Sequence, residues 1–116
     1  FLEKCSENGV DSMIDMMNVE DPLSVLKKLK KIPTVVILHR GVDEGEYKKE
    51  KTIPYYQIKQ VKGNYNIMVA VAGGDAPKEI ESAIFNDADI VVLWKSFFSS
   101  NNNIKNIAEN FLTYIK

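Results

Sequence analysis

Apolar residues along this chain fall into two alternating rhythms. Short unbroken runs, Val35-Val36-Ile37-Leu38 and Ile67-Met68-Val69-Ala70-Val71-Ala72, stop abruptly at His39-Arg40-Gly41-Val42-Asp43 and at Gly73-Gly74-Asp75. Runs of this kind are strands buried on both faces. Between them, apolar residues return every three or four positions, the period of a helix with one covered side. Residues 1–8 read as the last turns of a helix, so that the chain starts inside an element, and Gly9 suits the left-handed position after its end. Residues 13–17 form a short strand. Asp21-Pro22 then supplies a cap and a first-turn proline for a helix carrying Leu23, Leu26 and Leu29, which Pro33 ends. Strand 34–38, a polar stretch through Lys51, a helix over 55–61 and strand 67–72 follow. Asp75 is placed to cap a helix carrying Ile80, Ala83 and Ile84, and strand 89–93 comes next. The last helix has the clearest pattern, with Ile104, Ile107, Ala108, Phe111, Leu112 and Ile115 on one side. Asn101 to Asn103 read as a loop and helix cap.

The expected fold class is therefore α/β: the end of a helix followed by four βα units, which favours a parallel sheet. Two architectures fit this rhythm, an open doubly wound sheet and half of an eight-stranded barrel, and periodicity does not separate them. No Gly-x-Gly-x-x-Gly and no phosphate-loop Gly-Lys-Ser/Thr follows the first strand, which lowers the nucleotide-binding form of the open sheet. In both architectures the chemistry belongs at the carboxyl ends of the strands.

Composition narrows the functional classes. The chain has 116 residues, 45% hydrophobic and 27% charged, enough for one modest core and a single domain spanning 1–116. Its 15 basic and 16 acidic residues leave a net charge of −1, which argues against nucleic acid or an anionic membrane surface as partner. Lys27, Lys28, Lys30 and Lys31 read as a solvated helix face, and the single Cys5 as a structural thiol. No apolar stretch is long enough to span a membrane and no secretory leader is visible, so a cytoplasmic location is expected. Asp43, Glu44 and Glu46 read as an acidic loop, and no metal ligand is assigned.

The strand ends resemble the carboxyl-terminal half of the orotidine 5'-monophosphate decarboxylase superfamily, and within it 3-hexulose-6-phosphate synthase, an aldolase joining formaldehyde to ribulose 5-phosphate. Asp11-Ser12-Met13-Ile14-Asp15 matches the fifth barrel strand, Val36 to Asp43 the sixth, Val69 to Gly74 the seventh and Ala88 to Leu93 the eighth. A sugar-acid decarboxylase branch commonly has Glu, Arg and Thr where this chain has Asp15, Val42 and Ala72, and the latter set is the synthase-like one. The resemblance implies a parallel (βα)4 half of a TIM-type barrel and an aldolase-type lyase function. Asp15 and His39 are the implied catalytic residues; Val42, Ala72, Gly73, Gly74 and Lys95 are the implied substrate-binding ones, with Gly73-Gly74 cradling the phosphate.

The resemblance also implies Mg²⁺ and a lysine, supplied in the family mainly by an Asp-x-Lys-x-x-Asp motif on the third barrel strand and by acids on the first two. That motif is not in this sequence. The expectation is thus of an enzyme half that is inactive alone, partnered by the amino-terminal half of the same barrel or by a second copy; the alternative is a noncatalytic binding or assembly module. Two departures bear on the phosphate. Where the family has Gly-Arg after the eighth strand, this chain has Trp94-Lys95, which keeps a positive charge but not the bidentate fork of arginine, and Trp94 would crowd an amide that glycine leaves open. Asp75 after the glycine pair adds negative charge where the phosphate is expected, unless it turns away to cap the helix.

Overall fold

The computed structural model describes residues 1–39, 55–73, 76–99 and 103–115. Helix α1 (Leu2–Glu7) buries none of its residues and gives way to Gly9, whose φ of 64° is the left-handed conformation that glycine adopts without cost. Strand β1 (Met13–Asp15) leads to helix α2 (Pro22–Lys28), where the Asp21 side chain accepts the Ser24 N–H at 3.1 Å, as the Asp-Pro pair predicts. The remaining elements are β2 (Val35–His39), α3 (Tyr55–Asn64), β3 (Met68–Ala72), α4 (Pro77–Phe85), β4 (Ile90–Val92), α5 (Lys95–Ser99) and α6 (Ile104–Leu112). The N-cap position of α4 is Ala76, whose N–H donates to the Glu79 carboxylate at 3.1 Å, while Asp75, expected as the cap, lies outside the described residues. The short α5 was not anticipated, because five residues are too few to show a helical period.

All four strands are parallel and lie in the order β1-β2-β3-β4. That order decides between the two architectures: a doubly wound sheet reverses direction at a switch point, whereas a barrel adds each strand beside the last. The fold is a (βα)4 half barrel. Along each strand the side chains alternate between faces. Val36, Leu38, Val69 and Val71 join Leu26, Ile58, Val61 and Ala83 in one buried cluster under the helices, with Ile14 and Val91 packed against it. The other face carries Met13, Val35 and Met68 in one row, Asp15, Ile37, Ala70 and Ile90 in the next, and His39, Ala72 and Val92 at the carboxyl end. Such rows are how a closed barrel fills its interior in layers.

Candidate functional site

The register puts the polar residues of the second face at the carboxyl ends of β1 and β2. Asp15 lies beside Ile37, and His39 one row further along, so the two side chains reach each other diagonally across neighbouring strands. His39 Nε2 and Asp15 Oδ2 are 2.9 Å apart. The other carboxylate oxygen of Asp15 accepts the Met17 backbone N–H at 2.8 Å, which fixes the orientation of the acid. The imidazole is largely buried, its side chain 14% exposed, while the Asp15 side chain is 44% exposed. Among the described residues, His39 Nδ1 is buried without a hydrogen-bond partner. The pair is an oriented imidazole at a strand end, able to exchange a hydrogen bond or a proton with a neighbouring group.

The other expected site residues are distributed around this pair. Ala72 shares the row of His39 and Val92 and is 6% exposed, so its methyl contributes an apolar neighbour to the imidazole. Gly73 follows with φ of 100°, a conformation that glycine permits and that turns the chain out of β3. Lys95 opens α5 directly after β4 and is exposed. Trp94 beside it is 71% exposed and its ring lies 4.4 Å from that of Phe98, itself 69% exposed. Val42, Gly74, Asp75 and the acids at 43, 44 and 46 lie outside the described residues. Sequence reasoning missed the Met17 amide and Phe98. An amide is invisible to side-chain patterns, and Phe98 meets Trp94 only because α5 forms.

The described residues do not fit the magnesium ion that the resemblance implies. They contain no group of three or more His, Cys, Asp or Glu side chains able to hold a metal, and the Asp15 oxygens are engaged by His39 and Met17.

No family model matches the chain. Curated relatives do. The chain is 34% identical over 123 aligned residues to the bifunctional enzyme Fae/Hps of Methanosphaera stadtmanae, covering 98% of this chain and 29% of that protein. The corresponding figures are 35% over 116 residues for the enzyme of Methanothrix thermoacetophila, with 99% and 28% covered, and 30% over 118 residues for that of Archaeoglobus fulgidus, with 99% and 29% covered. This chain is homologous to one segment of the Fae/Hps enzymes. It spans about 29% of the length of the Fae/Hps relatives it matches. The homology agrees with the resemblance read from the strand ends, and the Asp15–His39 pair lies within the homologous segment. No helix among the described residues is long and apolar enough to cross a membrane.

Proposed function

We propose that this chain forms one wall of the active site of a cytoplasmic 3-hexulose-6-phosphate synthase, an aldolase-type lyase that joins formaldehyde to ribulose 5-phosphate. The observation that carries this reading is the Asp15–His39 pair at 2.9 Å, placed at the carboxyl end of a sequential parallel sheet in a segment homologous to Fae/Hps enzymes. In this reading His39 holds a proton at a hydroxyl of the sugar, and Asp15 holds the imidazole. Ala72 and Val42 leave room beside the sugar, and Gly73, Gly74 and Lys95 take the phosphate. The lysine and the Mg²⁺ ligands that the chemistry requires come from residues outside this chain, on the amino-terminal half of the barrel. That half, or a second copy of this one, covers the two open edges of the sheet.

A Fae/Hps relative in which this chain replaces the matching segment tests the proposal. The chimaera is expected to condense formaldehyde with ribulose 5-phosphate, and His39→Ala to lower its turnover about 10²–10⁴-fold, the range that general acid–base groups contribute. The isolated chain is expected to be inactive. A folded chimaera without activity, or one indifferent to His39→Ala, would overturn the reading. One observation favours a second reading: an exposed Trp94, its ring tilted against that of Phe98, stands where the resemblance would have the family's phosphate-binding glycine. A noncatalytic binding or assembly module would tolerate that aromatic pair, and it predicts a folded, inactive chimaera.

A further inference from the structure

Gln57 is a polar residue on the covered side of a helix. It stands in the first turn of α3 beside Ile58, buried with it and with Val61. Burying a side-chain amide is unfavourable unless its hydrogens are bonded. Here Nε2 donates to the Glu20 carbonyl oxygen at 2.8 Å and to the Tyr56 hydroxyl at 3.3 Å. Glu20 belongs to the loop between β1 and α2, 37 positions away in sequence, so the amide ties the start of α3 to the chain leaving the carboxyl end of β1. That loop carries the orientation of the site's acid. It is anchored at one end by Met16, buried in the core cluster with its N–H on the Ile37 carbonyl at 2.9 Å, and at the other by Asp21, which caps α2. Between these anchors the Met17 N–H holds Asp15 Oδ1 at 2.8 Å, and the Val19 N–H closes a turn on the Met16 carbonyl at 3.0 Å. Asn18 in this turn has φ of 62°, a left-handed conformation that a residue other than glycine keeps where its surroundings enforce it.

We infer that Gln57 is a positioning residue for the Asp15–His39 pair: through the Glu20 carbonyl it holds the turn in which the Met17 N–H orients Asp15, and Asp15 orients His39. The hydrogen bonds of its amide nitrogen go to Glu20 and Tyr56, so it acts through the turn and not on a ligand. Its effect on turnover rests on the synthase reading; its effect on the turn does not. The sequence hides this role, because a glutamine in a helix reads as solvated.

Amide hydrogen exchange of the chain tests the turn. Met17 is 42% exposed, so protection of its N–H reports the bond to Asp15 rather than burial. Gln57→Leu keeps an apolar filling and removes both donors; it is expected to speed exchange at Met17 about 2–10-fold, the range that one hydrogen bond supplies. Tyr56→Phe leaves the Glu20 contact in place and is expected to leave Met17 unchanged. Gln57→Met decides should Gln57→Leu not fold. An unprotected Met17 N–H in the unmodified chain, unaltered exchange in the folded Gln57 variant, or an equal effect of Tyr56→Phe overturns the inference. Turnover is read in the Fae/Hps chimaera, where Gln57→Leu is expected to lower kcat about 10–10²-fold with little change in KM, the loss that follows displacement of a reacting group by about 1 Å. Combined with His39→Ala it is expected to have no further effect, because the two act as one unit. A loss of the same size in both backgrounds marks a merely structural role and overturns the inference. A folded chimaera that is inactive before any substitution refutes the synthase reading instead, and Met17 exchange still decides the role of Gln57.

Discussion

Asp89 does at the amino ends of the strands what Asp15 does at the carboxyl ends: each carboxylate ties a backbone amide to a basic side chain. Asp89 accepts the Val69 N–H at 2.8 Å and two contacts from Lys62 Nζ at 2.7 and 2.8 Å, joining β3, β4 and α3. Partial burial pushes its carboxyl up, but the hydrogen bonds from Lys62 and Val69 and the lysine charge together outweigh this and hold it below the ordinary value of 3.8. The folded state therefore prefers the ionised acid. The stabilisation is fully present above pH 3.8 and is lost as pH falls through the lower folded-state value. Asp89→Asn should cost about 1 kcal/mol at neutral pH, and urea titrations should show the difference from the parent shrinking below about pH 4. An equal difference at pH 3 and pH 7 would refute the electrostatic origin. Neither carboxylate contact could be read from sequence. His39 and Asp15 were visible as polar residues closing apolar strands, but their meeting depends on a register that brings together positions 24 apart, and that of Lys62 and Asp89 positions 27 apart.

Elements were legible where a period and a boundary signal coincided. The helix begun by Asp21-Pro22 and the strand closed by His39 are both of this kind. The last helix was legible as a helix but not in its packing. Its apolar stripe predicts a covered face, yet Phe111 alone is buried, stacked at 6.0 Å on Phe97, while Ile104 and Leu112 are exposed and Ile115 lies past the helix end. Helical period marks which side could be covered; it does not say what covers it. The central strands give the opposite case, since Val36, Leu38, Val69 and Val71 are covered as expected. Leu38, 1% exposed beneath the helices, has no room to be replaced cheaply. Leu38→Ala should lower stability by about 2–5 kcal/mol, seen as a lower denaturant midpoint with little change in slope. A loss below 1 kcal/mol would mean that the cluster is not the stabilising core.

At the scale of the molecule the four-unit rhythm was legible, and the choice between open sheet and half barrel was not, because strand order leaves no mark on hydrophobic period. The structure leaves β1 and β4 at the sheet edges and exposes Met13, Met68 and Val92 on the second face, with Trp94, Phe98, Ile104 and Leu112 exposed on the last elements. Apolar surface on this scale favours association. The isolated chain should sediment as a dimer or larger species at micromolar concentration and enhance the fluorescence of a hydrophobic dye; a stable monomer that binds no dye would count against the half-barrel reading.

The sequential strand order has a further consequence, for synthesis on the ribosome. Each strand finds its partner in the strand already made: Met13 pairs with Val35, Val35 with Met68 and Ala70 with Ile90. No strand has to wait for a later one to be inserted between it and its neighbour, as a doubly wound sheet requires. The sheet can thus grow in the direction of translation, with a single unpaired growing edge at every stage, the stage at which a nascent chain is most prone to pair wrongly.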